Sequence, residues 1–94
     1  MLIYKAMIKL KKYGHEFCGP CRVIKPILEE LASDYKDNVE YEDIDTYQLS
    51  VEELTLAGIR AVPTIIIEKN GTEMWRNIGL VSKERIKTEI DKLL

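Results

Sequence analysis

Two cysteines separated by two residues, Cys18-Gly19-Pro20-Cys21, stand where the chain's pattern changes from strand to helix. No other feature constrains the fold as much. Upstream, Leu2, Tyr4, Ala6, Ile8 and Leu10 share one parity, the period of a β-strand. This predicts a strand over about residues 7–13, which can extend back through Leu2–Ala6. Downstream, Cys21, Ile24, Ile27, Leu28, Leu31 and Tyr35 follow the i, i+3, i+4 spacing of an amphipathic helix. Pro20 suits a first helical turn, where its missing N–H is no loss. Pro26 falls inside the pattern and is expected to kink the helix. Cys18 therefore stands at a helix entrance, where unpaired N–H groups and the positive dipole end favour a thiolate. Cys21 follows one turn later on the apolar stripe, within reach of a disulfide formed on Cys18.

The rest of the chain predicts a short strand over Val39–Ile44 and then a capping box, Ser50-Val51-Glu52-Glu53. The helix it starts is expected to stop near Gly58, a suitable left-handed end residue. Thr64–Glu68 is β-branched and leads into Asn70-Gly71, a strong hairpin signal, with a return strand over Thr72–Asn77. Ser82 is placed to cap a last helix striped by Ile86, Ile90 and Leu93. The order is β-α-β-α-β-β-α. A helix-linked parallel pair followed by a hairpin and a closing helix is an α/β fold, a mixed sheet covered by helices. With no linker or repeat, one domain is expected over residues 1–94. Lys9 and Lys11 alternate with Ile8 and Leu10, so one sheet face is expected to be thinly covered, with lysine stems lying over it.

Composition excludes several classes. A chain of 94 residues that is 46% apolar and 32% charged is neither collagen-like, low-complexity nor disordered. A net charge of −2 disfavours nucleic acid as a partner. No apolar run approaches the ~20 residues of a membrane span. The N-terminal apolar stretch is broken by Lys5 and Lys9 and lacks a small-residue cleavage site, so a cytoplasmic protein is expected. Two cysteines are too few for a secreted disulfide scaffold. Structural zinc needs four ligands, and His15 is the one further soft ligand, so redox chemistry is expected and no metal.

Phe17-Cys18-Gly19-Pro20-Cys21-Arg22, Ile24-Lys25-Pro26, Val62-Pro63-Thr64, Lys69-Asn70-Gly71 and Gly79 together resemble the thioredoxin family. The likeness runs from about Leu10 to Leu94 in the family's order and spacing. It lacks the strand and helix that full-length thioredoxins place first, and so resembles the minimal thioredoxin fold of short, glutaredoxin-like thioredoxins. The resemblance implies a four-stranded mixed sheet with helices on both faces. It implies a nucleophilic Cys18, a resolving Cys21, a cis Pro63, and a substrate-binding surface from Phe17, Gly19, Pro20, Val62, Pro63 and Gly79. It also implies no bound cofactor beyond the Cys18–Cys21 disulfide. The partners it implies are disulfide-containing proteins and an NADPH-dependent flavoprotein such as thioredoxin reductase, with the chain itself a monomer. Gly-Pro between the cysteines goes, by similarity, with reducing members.

The chain departs from the family's pattern at several positions. Phe17 replaces the usual Trp and loses an indole donor. The family's buried Asp, six residues before the nucleophile, is Lys12 here, and the Lys that partners it aligns with Tyr41. Lys12, Glu16 and Tyr41 are therefore the candidates for tuning the thiols' acid–base chemistry. The parity of Lys12 directs its stem into the core behind the cysteines, whereas the strand end could let it reach solvent. His15 is expected to be a solvent-exposed loop residue without a chemical role, and Trp75, Met7 and Met74 to be packing residues. Two other functions fit the sequence less well: a redox-sensing or docking module without efficient turnover, and a glutathione-dependent glutaredoxin.

Overall fold

A computed structural model describes residues 7–94; the possible strand extension through Leu2–Ala6 lies outside them. The elements are β1 (Ile8–Gly14), α1 (Gly19–Asp34), β2 (Val39–Asp45), a 3-10 turn (Thr46–Gln48), α2 (Val51–Ala57), β3 (Thr64–Lys69), β4 (Thr72–Ile78) and α3 (Lys83–Asp91). They form a four-stranded mixed sheet in the order β2-β1-β3-β4. β1 runs parallel to β2 and antiparallel to β3, which pairs antiparallel with β4. This is the α/β arrangement of a minimal thioredoxin fold.

The period-2 pattern of β1 sorts its side chains as expected. Ile8 and Leu10 join Ile65 and Ile67 of β3 under Ile24, Leu28 and Leu31 of α1 and Ile86 and Ile90 of α3. Burying each of these side chains is worth roughly 1.5–3 kcal/mol. Two polar links tie α3 to α1: Lys83 reaches Glu30 at 2.6 Å, and the Tyr35 hydroxyl donates to Asp91. α1 runs on through Pro26 without a break.

On the opposite sheet face, Lys11 and Tyr13 share a groove with Glu42, Ile44 and residues of α2. The lysine heads are only partly exposed and are paired across strands, Lys9 with Glu42 at 3.5 Å and Lys11 with Glu68 at 3.0 Å. α2 has no buried residue of its own, so its ends have to be held by polar contacts. At its start the Ser50–Glu53 capping box is complete. At its end Gly58 is left-handed (φ 69°), and Ile59 N–H reaches Leu54 O at 2.9 Å. Arg76 of β4 then donates to Ala57 O at 2.8 Å and Gly58 O at 2.9 Å.

The β3–β4 hairpin turns through Asn70 (φ 53°) and Gly71 (φ 84°), both left-handed as a type I′ turn requires. Two expectations need correction. Met74 does not pack: Ile67 pairs with Trp75 but Glu68 with Glu73, so Met74 is the extra residue of a bulge and is half-exposed. Met7 precedes β1 and is also half-exposed, held instead through its backbone, whose N–H reaches Asn70 Oδ1 at 3.0 Å. Trp75 packs against the core edge, with the Arg85 guanidinium 6.0 Å from its ring centre.

Candidate active site at the Cys18–Cys21 pair

β1 ends at Gly14, and a three-residue loop, His15-Glu16-Phe17, delivers the chain to α1. Cys18 is the N-cap of that helix, in an extended conformation (φ −93°, ψ 109°). Its Sγ accepts a hydrogen bond from Cys21 N–H at 3.1 Å, so an otherwise orphaned helix donor points at the sulfur. The first turn of α1 carries no acidic residue to oppose a thiolate there. Cys18 and Cys21 are joined as a disulfide with Cα atoms 5.2 Å apart. Cys18 is 8% exposed and Cys21 1%, so both are sheltered and Cys18 is the more open.

The β1–β3 and β3–β4 registers bring a second group of residues to the same end of the sheet. Tyr13 pairs with Thr64 and Thr64 with Ile78, which places Pro63 and Gly79 level with the end of β1. The Val62–Pro63 peptide is cis, Pro63 is buried, and its carbonyl accepts from Gly79 N–H at 2.8 Å. Gly79 has φ 91°, a conformation that favours glycine. Phe17 projects into solvent, 74% exposed, with a tilted ring contact to Tyr47. Gly19 and Pro20 are likewise exposed.

Of the three tuning candidates, two meet at one cavity. Lys12, Glu16 and Cys21 line a recess of about 420 Å³ together with Gly14, His15, Arg22, Lys25, Asp43 and Asp45. Lys12 does not reach solvent: it is 5% exposed, and its Nζ lies 3.1 Å from Asp43 Oδ1 and 3.3 Å from Oδ2. Lys25 approaches the same carboxylate at 3.6 Å. Tyr41 is not among the lining residues. It packs at the edge of the core, its hydroxyl buried without a hydrogen-bond partner among the described residues. Burial first, and then the negative charges of Asp43 and Glu29, push that hydroxyl's pKa well above its usual value.

His15 departs from the expectation of an exposed, idle loop residue. It is half-buried and stacked on Tyr47 (ring centres 4.4 Å apart), with its Nδ1 buried and unpaired among the described residues. The 3-10 turn after β2 supplies that tyrosine, and Asp45 fixes the turn by accepting from Tyr47 N–H at 3.0 Å. Asp43 is the residue that sequence reasoning missed. The available signal was that Lys12 and Asp43 are both charged residues at core-facing parities of their strands.

Among the described residues no group of His, Cys, Asp and Glu could hold a metal ion, and no helix is long and apolar enough to cross a membrane. The sequence model of the thioredoxin family matches residues 4–92. The chain is 36% identical over 85 residues to an M-type chloroplastic thioredoxin of Zea mays, covering 90% of this chain and 50% of the relative. It is 33% identical over 91 residues to a thioredoxin of Staphylococcus haemolyticus, covering 93% of this chain and 83% of that one. A third relative, thioredoxin 1 of Synechococcus elongatus, is 33% identical over 78 residues, with 83% and 72% covered. The chain spans about half the length of the plant relatives it matches. These matches and the bonded cysteine pair support thiol–disulfide exchange as the chemistry of this site. With fold, cysteine pair and sequence matches in agreement, the chain belongs to the thioredoxin family.

Proposed function

We propose that residues 1–94 act as one thioredoxin-type domain that reduces disulfide bonds in other proteins. The observation that carries this reading is Cys18 as the cap of α1, its sulfur receiving the Cys21 N–H. When the pair is reduced, the same donor and the helix N-terminus favour the Cys18 thiolate. That thiolate attacks one sulfur of a substrate disulfide. A bond forms between Cys18 and that sulfur, and the other substrate sulfur leaves as a thiolate and takes a proton. Cys21 then attacks Cys18, closes the Cys18–Cys21 disulfide and releases the second substrate thiol. Two electrons have passed to the substrate.

Phe17, Gly19, Pro20, Val62, Pro63 and Gly79 form the proposed docking surface for the extended segment around a substrate disulfide. Exposed Phe17 offers apolar area, and buried Pro63 a wall without an N–H. An NADPH-dependent flavoprotein of the thioredoxin reductase kind is the proposed electron donor, and the chain works as a monomer. Such a reductant requires a reducing compartment. The cytoplasm is the proposed one, although several relatives are chloroplastic by name.

Turnover of insulin disulfides with dithiothreitol as reductant tests this reading. The wild type is expected to accelerate reduction, Cys18→Ser to abolish it, and glutathione to be a poor replacement for dithiothreitol. Stoichiometric thiol titration without rate acceleration would instead indicate a sensing or docking module. Efficient turnover with glutathione would indicate a glutaredoxin.

A further inference from the structure

The recess behind Cys21 holds a buried cation, and its chemistry differs from that of a carboxylate in the same place. Lys12 lies on the core side of β1, almost fully buried, with Asp43 as its cross-strand register partner and its ion-pair partner. Asp43 is shared, because Lys25 approaches it from α1. Two ammonium groups thus compete for one carboxylate, and the trio carries a net positive charge. The other charged groups facing the recess are Arg22 from α1, Glu16 from the loop and Asp45 from the end of β2, with His15 beside them. All but half-buried His15 are exposed, where solvent weakens their reach. Lys12 is the desolvated charge of the set.

Its side chain also runs beside the resolving sulfur. A β-carbon built on Gly14 would lie 2.8 Å from Cys21 Sγ and 3.3 Å from Lys12 Cε. The sulfur and the last carbon before the ammonium therefore flank the same bare position on β1. We propose that Lys12, anchored by Asp43, is a positioning residue that stabilises the thiolate of Cys21, so that resolution needs no buried base. This rests on Cys21 being the resolving thiol. An ammonium cannot accept a proton, and the Asp43 carboxylate is already engaged by Lys12 and Lys25. A nearby cation does lower a thiol's pKa.

In the mixed disulfide the Cys21 proton passes to solvent through the recess, and the thiolate beside Lys12 attacks Cys18 Sγ. The Cys21–Cys18 bond forms as the Cys18–substrate bond breaks, and the departing substrate sulfur keeps the electron pair and takes a proton from solvent.

The test uses the Cys18→Ser protein, in which Cys21 is the sole thiol, and measures the Cys21 pKa from the pH dependence of its alkylation rate. Adding Lys12→Met is expected to raise that pKa by about one, the low end of the effect of a nearby opposite charge. Adding Asp43→Asn is expected to lower it, because the ammonium loses its competing anion. The double replacement Lys12→Met, Asp43→Asn leaves no unpaired carboxylate and, if the single variant folds poorly, is expected to show a raised pKa as well. An unchanged Cys21 pKa in both Lys12→Met proteins would overturn the proposal. So would a raised pKa in Asp43→Asn, which would remove the opposing roles given to the two partners. No substrate is turned over in this measurement, so its failure leaves the reductase reading standing, and a failed insulin assay leaves this result intact.

Discussion

Gly14 at the end of β1 packs its bare α-carbon against Cys21, since a β-carbon there would stand 2.8 Å from Cys21 Sγ and 3.2 Å from Cys21 Cβ. Neither neighbour can swing away: the sulfur is tied into the disulfide and the Cβ into the first turn of α1. Glycine is required here for close approach rather than for backbone conformation.

Gly14→Ala is therefore expected to destabilise the oxidised protein by about 1–3 kcal/mol, the usual cost of overpacking a filled site. The urea midpoint is expected to fall with its slope unchanged. An unaltered midpoint would mean that β1 and α1 can separate locally at no cost.

Arg76 is the clamp that joins α2 to the sheet. Its guanidinium donates to the Ala57 and Gly58 carbonyls and, as a fork, to both oxygens of Glu73 at 2.8 and 2.9 Å. Arg76→Met is expected to cost about 1–2 kcal/mol, since hydrogen bonds to a charged group are lost. Amide exchange at Gly58 and Ile59 should accelerate before the core strands respond.

Acid should loosen the same clamp. The Arg76 hydrogen bond foremost, with its charge, holds the Glu73 carboxyl below the usual carboxylate range, against a smaller opposing effect of burial. Because its pKa is lower in the folded chain, the unfolded chain takes up the proton first. The stabilisation is full above about pH 4.5 and fades as pH falls through the folded value. For so exposed a pair, solvent screening limits it to roughly 0.2–1 kcal/mol. Glu73→Gln should remove that increment of acid sensitivity in thermal melts taken from about pH 4.5 downward, the interval in which the depressed carboxyl takes up its proton.

Lys11 and Glu68 form a mostly buried pair at 3.0 Å on the thinly covered sheet face. Removing one partner strands the other, so Glu68→Gln is expected to cost about 1–3 kcal/mol. Replacing both, Lys11→Met with Glu68→Leu, should be close to neutral in monomer stability. The double variant would, however, carry an apolar stripe beside the groove under α2 and is expected to self-associate in light scattering. A monomeric double variant would show that the pair does not serve solubility.

Much of this architecture is legible locally. The strand parity of Ile8 and Leu10, the stripe from Cys21 to Leu31, the Ser50–Glu53 box and the Asn70-Gly71 turn each express a short-range rule, and each element formed where that rule placed it. What escaped depends on partners distant in sequence. The 3-10 turn at Thr46–Gln48 is too short to show a period, so the tyrosine that half-buries His15 went unseen. The bulge that turns Met74 outward is a mismatch between two strands and belongs to neither alone. Asp43 becomes the partner of Lys12 only once the β1–β2 register is known. The site's covalent centre was readable because two adjacent turns contain it, whereas its electrostatic surroundings come from three separate elements.

The most direct test of the account is to trap the covalent intermediate. Reduced Cys21→Ser and Cys18→Ser proteins are each mixed with a disulfide-containing protein such as insulin, quenched with acid and mapped by peptide mass spectrometry. The account predicts a stable one-to-one mixed disulfide on Cys18 in the Cys21→Ser protein, and little or none on Cys21 in the Cys18→Ser protein. An adduct forming faster on Cys21, or no adduct on Cys18, would contradict the assignment of Cys18 as the attacking sulfur and the mechanism built on it.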